Sequence, residues 1–552
     1  MTGVALGAAP GHAGGWYTRR PVQRTTWIAS LALASACGAS DPPGDPLGDP
    51  PRGPRMAQFA DVTQASRVAF DYATTDFKGG GLAVVDLDGD GLPDIVAGSR
   101  LGGLALFHNL GSLRFERVDP ARSGLDDKLQ VTAIAAVDLD NDGDRDLVLA
   151  SANVAYVMAN QGDGTFVQAA RFDSSGTTEH ILPVDLDGDG QLDLFFGNYD
   201  INYGFATLSR VYMNRGGLVF DFAGTQGAGR AWASTAFDID GDGDQDIYVA
   251  DDTLRADFGV PGPVSPSPWP VDRVLRNDGL GPDGTPRFTD IVAEMGLGTP
   301  RSSMGGVLGD FDDDGHLDLY IPDFGANKLF LRDPAAPTAG FVDRAAAFGV
   351  DGTARRNAEC GPATQIEDCL LLSWSAALSD FDLDGYDELL VVNGDTEADK
   401  PPPVQMFVRG QAPAYHEVSP SIDSLDARAM IVTDLDGDGD QDVVIASHTG
   451  PLKLYQNVGK PTAGAWLQVT LHGQVSNRDG VGAVVTLHMA SGRTQIRAVG
   501  AGGVIHSASP AEAFFGLGHD AAASVDVLWP SGRRTQVAGP SAGALVVEEG
   551  SP

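Results

Sequence analysis

A nine-residue pattern, Asp-x-Asp-x-Asp-Gly-x-x-Asp, recurs seven times in this chain, and it constrains the fold more than any other feature. Its acidic positions 1, 3, 5 and 9 are Asp86, Asp88, Asp90 and Asp94 in loop 1, then Asp138, Asp140, Asp142 and Asp146 in loop 2. Loop 3 has Asp185, Asp187, Asp189 and Asp193, and loop 4 has Asp238, Asp240, Asp242 and Asp246. Loop 5 has Asp310, Asp312, Asp314 and Asp318, and loop 6 has Asp380, Asp382, Asp384 and Glu388. Loop 7 has Asp434, Asp436, Asp438 and Asp442. Position 6 is Gly in all seven, where the chain must turn sharply. Position 7 varies freely, from Leu92 to His316 and Tyr386, as a residue used only through its backbone carbonyl would.

Ca²⁺ is a hard cation that takes about six to eight oxygen ligands in irregular geometry. Carboxylates at this spacing predict one Ca²⁺ per loop. Mg²⁺ demands a near-ideal octahedron, and Zn²⁺ favours His and Cys. An EF-hand opens with the same spacing, but it needs Glu at the twelfth position and a helix on each side, neither of which is present. Left without a cation, the carboxylates of each loop would repel one another. Calcium is therefore expected to be part of the fold.

Short apolar runs bracket every loop, such as residues 82–85 before loop 1 and 443–446 after loop 7, and they read as the strands of hairpins. First positions lie 52, 47, 53, 72, 70 and 54 residues apart, a period suited to a four-stranded propeller blade. The pattern predicts seven blades over residues 58–460, with insertions at residues 251–270 and 349–374 inside the two long intervals. A second repeated element, Asn-x-Gly followed by Phe, begins at Asn109, Asn160, Asn214 and Asn277; Asn457 repeats the Asn-x-Gly alone. It reads as a turn between strands, with the aromatic packed between sheets. Residues 461–550 contain no Asp loop and read as a second, smaller β domain.

The net charge of −38 argues against a nucleic-acid partner and against an anionic lipid surface. The chain contains no HExxH, no GxSxG and no P-loop, so it is not expected to be an enzyme. Residues 279–284 spell GxGxxG but run on into Pro286, which reads as a hairpin turn. His180 and His316 read as solvated residues in or near Asp loops, and Arg478-Asp479 as a turn held by a salt bridge. His506 and Arg478 are the most suggestive polar residues of the C-terminal part.

Arg19, Arg20 and Arg24, the short apolar run 27–36 and Cys37 make a secretory signal segment over residues 1–37. Ala34-Ser35-Ala36-Cys37 resembles a bacterial lipobox, which would put a lipid on Cys37; the other reading is an ordinary signal peptide beside a free thiol. Residues 38–57 are rich in Pro and Gly and read as a tether. Cys360 and Cys369 fit a local disulfide in an oxidising compartment, with a pair of free thiols as the alternative. The expected location is the outer membrane or cell surface, or outside the cell if Cys37 is not lipidated.

At this point the residues resemble a known family. The seven loops are similar to the FG-GAP/VCBS repeats of integrin-α-like propellers. Residues 304–310, 319–325 and 327–330 resemble the cartilage acidic protein branch. Residues 476–483, 514–518 and 527–533 resemble the signature stretches of the ASPIC/UnbV domain, although Val504-Ile505-His506 departs from its usual pattern. The resemblance implies an all-β chain, a seven-bladed calcium propeller followed by a small sandwich-like domain. It also implies a scaffold or adhesion role toward a protein or glycan. Alternatives are a calcium-dependent lyase or hydrolase acting on polysaccharide, or an accessory protein of secondary-metabolite biosynthesis. Replacing Cys37 with Ser is expected to abolish incorporation of labelled palmitate, and continued labelling would contradict the lipobox.

Overall fold

Each Asp loop joins the first and second strands of a blade of four antiparallel strands, and a computed structural model of the chain contains seven such blades in succession, the first widened by a fifth, parallel strand. The residues described are 57–74, 78–174, 176–199, 207–252, 272–299, 301–333, 340–352, 371–394, 401–409, 414–459, 464–500 and 506–550. Cys37, Cys360, Cys369, the signal segment and tether residues 38–56 lie outside them. Blade 1 consists of Leu82–Val85, Asp94–Gly98, Leu104–Asn109 and Phe115–Arg117. Blades 2 to 6 repeat this order over residues 133–173, 178–229, 231–290, 307–343 and 372–418. Blade 7 takes Ala427–Thr433, Asp442–Ser447 and Lys453–Asn457 from the end of the repeat, and its outer strand, Phe59–Asp61, from the beginning. Phe59 pairs with Asn457, so the N-terminal strand completes the last blade and fastens the ring.

Apolar clusters fill every gap between neighbours. Val85 and Leu106 of blade 1 meet Ile134 and Leu149 of blade 2. Val392 and Met406 of blade 6 meet Met430 and Ile445 of blade 7, with Ala57, the last residue assigned to the tether, buried among them. Ile431 and Val444 of blade 7 then meet Ile95 and Phe107 of blade 1. A strand packed between two neighbours is apolar on both faces, which is why residues 82–85 and 133–137 read as unbroken runs. Phe115 and Phe166 are buried in these inter-blade clusters, as the sequence suggested.

The Asn-x-Gly element does more than turn the chain. The Asn side chain accepts from the Gly amide two residues on, at 3.0 Å in Asn109 and 3.1 Å in Asn160. Its amide nitrogen crosses to the position-2 carbonyl of the preceding blade's loop. Asn160 Nδ2 donates to Leu87 O at 2.7 Å, Asn214 to Leu139 O at 2.7 Å, and Asn277 to Leu186 O at 2.9 Å. Asn457 donates to Phe381 O at 2.8 Å, and Asn109 to Leu435 O at 2.9 Å, linking blade 1 to blade 7. Where the Asn is missing, arginine substitutes. Arg332 of blade 5 donates to Ile239 O at 2.7 Å, and Arg409 of blade 6 to Asp313 Oδ1 at 3.0 Å. Every adjacent pair of loops is thus tied around the ring.

The C-terminal domain packs a three-stranded sheet (Glu512–Gly518, Ala465–His472, Gly543–Glu548) against a four-stranded one (Thr494–Ala498, Val484–Met489, Ala522–Leu528, Arg534–Ala538). Leu467, Val485, Phe515 and Trp529 are in the core between them. The domain sits on the Asp-loop end of the propeller. Asp479 accepts from the Asp138 amide at 3.0 Å and pairs with Arg145 at 3.0 Å, so the salt bridge expected within a turn instead joins two domains. The Arg478 amide donates to Asn141 Oδ1 at 2.7 Å. Ser507–Ala508 enters the propeller and adds in parallel to the first strand of blade 1. Asn160→Ala strands buried partners on two blades and is expected to cost about 1–3 kcal/mol of stability, read from the urea midpoint; an unchanged midpoint would contradict the latch.

Candidate metal centres

The seven loops are shaped by their own amides, in the same way each time. The position-1 carboxylate accepts from the position-6 Gly amide, at distances from 2.6 Å for Asp380 to 3.1 Å for Asp238. Its other oxygen accepts from the position-4 Gly amide in four loops, for example Gly89 to Asp86 at 2.8 Å, and from the position-5 amide in the other three. The position-5 carboxylate accepts from the position-7 amide, as Asp90 does from Leu92 at 2.9 Å. The position-9 carboxylate reaches back to the position-2 amide, as in Leu139 to Asp146 at 3.1 Å and Phe381 to Glu388 at 2.9 Å. In every loop but loop 6 it also takes the backbone amide of the latch residue, at 2.7 Å from Asn214 to Asp193. Positions 4 and 6 both adopt left-handed backbone. At position 4 this includes Asn141, Asp313 and Leu383, with φ of 62°, 59° and 54°, which pay a steric cost that Gly avoids.

This bonding gathers acid in one place. In loops 1 to 4, oxygens of positions 1, 3 and 9 lie within 4.8 Å of one another. Buried oxygens without a partner recur most often at position 3; Asp314 Oδ2 at position 5 and Asp244 Oδ1 and Asp440 Oδ1 at position 7 are further cases. Asp88 Oδ1, Asp140 Oδ1, Asp187 Oδ1 and Asp436 Oδ1 are shut off from solvent and have no hydrogen-bond partner. The same unsatisfied oxygen at the same place in four loops is what a cation-binding loop leaves for its ion, and an all-oxygen donor set suits a hard cation. Burial, with the neighbouring carboxylates adding to it, raises the position-9 acids. Asp94, Asp146 and Asp246 are pushed up to about 7, and Asp193, Asp318 and Asp442 to about 8, despite their amide bonds. Asp380 and Glu388 are raised well above the usual carboxylate range for the same two reasons.

Some contributors were not evident from the repeat. His108 Nδ1 lies 3.0 Å from Asp88 Oδ2 and 3.2 Å from Asp94 Oδ1, and forms a group with Asp88 and Asp90. Its only sequence signal is its place just before the latch Asn109. Position 7 is not always a bystander. Asp440 is buried among the acids of loop 7, and burial followed by the charges of Asp438 and Asp442 pushes it up to about 9. His316 contacts Asp314 at 3.1 Å and stays within loop 5. His180 is not a solvated loop residue. It lies near the start of the first strand of blade 3, Thr178–Val184, at the end away from the loop, and is 1 % exposed. Its Nδ1 lies 2.9 Å from Ser234 Oγ. His506 is buried at that same far end, where its Nδ1 donates to Glu179 O at 3.0 Å. Residues 279–284 form the hairpin turn expected, with Gly284 donating to Gly281 O at 2.9 Å.

A closed propeller whose repeats each carry an acidic metal-type loop defines the class of protein. Residues 86–149, 138–196 and 185–249 match the FG-GAP-like repeat, and residues 473–551 match the ASPIC and UnbV family. The chain therefore carries FG-GAP-like repeats followed by an ASPIC/UnbV domain. It is homologous to cartilage acidic protein 1: the mouse protein is 24 % identical over 495 residues, which is 82 % of this chain and 70 % of that one. The human protein is 27 % identical over 267 residues, 46 % of this chain and 36 % of its own length. Among solved structures, an Agrocybe aegerita lectin described as recognising non-reducing terminal N-acetylglucosamine covers 69 % of this chain and 92 % of its own. Its identity is 17 % and its TM-score 0.39.

Acids whose folded pKa is raised favour folding at low pH, and that contribution is lost as pH rises through about 6–8. Metal-free protein is therefore expected to melt at a lower temperature at pH 8 than at pH 5.5. A melting temperature that rises over this range in chelator would contradict the placement of these carboxylates.

Proposed function

We propose that the protein is an exported, calcium-loaded binding scaffold that works at the cell surface and does not turn over a substrate. The observation that carries this reading is the buried, unsatisfied position-3 oxygen repeated in loops 1, 2, 3 and 7. Ca²⁺ would be held by positions 1, 3 and 9 of each loop, with position 5 beside them, and it would neutralise charge that the folded chain leaves uncompensated. The carboxylates of positions 1, 5 and 9 are already bonded to backbone amides, which suits a rigid mount better than proton transfer. Homology to cartilage acidic protein 1 supports an extracellular role, and the lipobox-like Cys37 would anchor the mature chain to a membrane.

The C-terminal domain already covers much of the loop end. A protein or glycan partner is therefore left the outer rim and the opposite end of the ring. No helix among the described residues is long and apolar enough to cross a membrane.

Chelation is expected to lower the melting temperature sharply at neutral pH, and Ca²⁺ to restore it; indifference to chelator would contradict structural calcium. Asp187→Ala should cost one bound ion per chain by metal analysis and leave the other loops filled. An array of glycans and extracellular proteins, probed in Ca²⁺ and in chelator, should show calcium-dependent binding. Turnover of any polymer would instead support the calcium-dependent lyase or hydrolase reading.

A further inference from the structure

Loop 6 differs from the other six in its surroundings. Loops 1 to 5 and loop 7 each expose at least two residues to solvent, whereas no residue from Asp380 to Glu388 is exposed. Asp380 is 0 % and Glu388 is 2 % exposed.

The cover is the C-terminal domain, and it is pressed down as bare backbone. A Cβ on Gly516 would sit 1.7 Å from Asp380 Oδ2. One on Gly518 would sit 2.5 Å from Asp384 O, and one on Gly464 would sit 2.2 Å from Leu383 O. Only glycine permits this approach, which gives a physical reason for both glycines of the Phe514–Gly518 stretch. Two arginines hold the cover in place. Arg493 donates to Gly385 O, and its guanidinium lies 4.1 Å from the centre of the Tyr386 ring. Arg497 pairs with Asp387 at 2.6 Å. Both cations are thus engaged beside the acidic nest, and Asp380 and Glu388 take only amide bonds: from Asp384 N at 3.0 Å and Gly385 N at 2.6 Å, and from Phe381 N at 2.9 Å. Closing neutral backbone over such a group of carboxylates is costly unless a cation is already inside.

We infer that loop 6 is a sealed site for a hard divalent cation, closed by the C-terminal domain, while the other six loops exchange their ions with solvent. The inference rests on the calcium reading above and gives one ion a separate role. The ion of loop 6 enters before the domain seats and leaves only when the domain lifts. Filling this loop is thereby coupled to docking of the two domains.

The test uses the mature full-length protein loaded with radioactive Ca²⁺ and diluted into excess chelator. Release should be biphasic, with six ions per chain leaving fast and one about tenfold or more slower, because the last waits on an opening of the domain. Asp382→Ala should remove the slow ion and keep the six fast ones. Arg493→Ala, and independently Arg497→Gln, should keep all seven ions and speed the slow phase. Melting curves in saturating Ca²⁺ would establish that each variant is folded. A single release rate for all ions, or a slow phase that survives Asp382→Ala, overturns the inference while leaving the calcium reading intact. A chain that binds no Ca²⁺ overturns both.

Discussion

Like-charge repulsion inside each Asp loop is the constraint on which the rest of this structure depends. Amides of the same nine residues hold the carboxylates of positions 1, 5 and 9, and position 3 is closed in beside positions 1 and 9, so the tighter the loop is shaped, the more its acids oppose one another. At loops 1, 2, 3 and 7 the position-3 carboxylate keeps an oxygen buried with no partner. A chain with a net charge of −38 has few cations to spare for such places. On the calcium reading, a cation supplied from outside completes each of these loops, once per blade.

The loops also hold the ring together. The five Asn latches and Arg332 each bond the position-9 acid of their own loop through the backbone and the preceding loop through the side chain. Asn277 does so with Asp246 at 2.7 Å and Leu186 O at 2.9 Å. A disturbance at one metal loop is therefore passed directly to the neighbouring blade. The C-terminal domain adds a second tie, since it touches loop 2 through Asp479, loop 6 through Arg497 and the first strand of blade 1 through Ser507–Ala508. Propeller and domain are joined both at the Asp loops and, through Ser507–Ala508, at the opposite end of the blade-1 strand.

Much of this was legible in the residues. The repeat gave the blade count, and the apolar runs around it gave the strands, because both signals are local and periodic. Position 4 was harder to read. Asn141, Asp313 and Leu383 hide the need for left-handed backbone that Gly89 and its counterparts would have revealed. The latch was read only as a turn, since its bond to the preceding loop spans 73 residues in the case of Asn160 and Leu87. The covering of loop 6 was hidden for the same reason: it joins segments far apart in the chain. His180 follows the polar residues Thr177, Thr178 and Glu179, which read as loop, and only the topology puts it in a strand at the end of the blade away from the Asp loop.

The central claim is that each of the seven loops holds a cation among its carboxylates. Crystals of the mature protein grown with calcium and measured at long X-ray wavelength test it most directly. The account predicts seven anomalous peaks, one per blade, each within coordination distance of its position-3 carboxylate. Well-ordered loops without such peaks would contradict it.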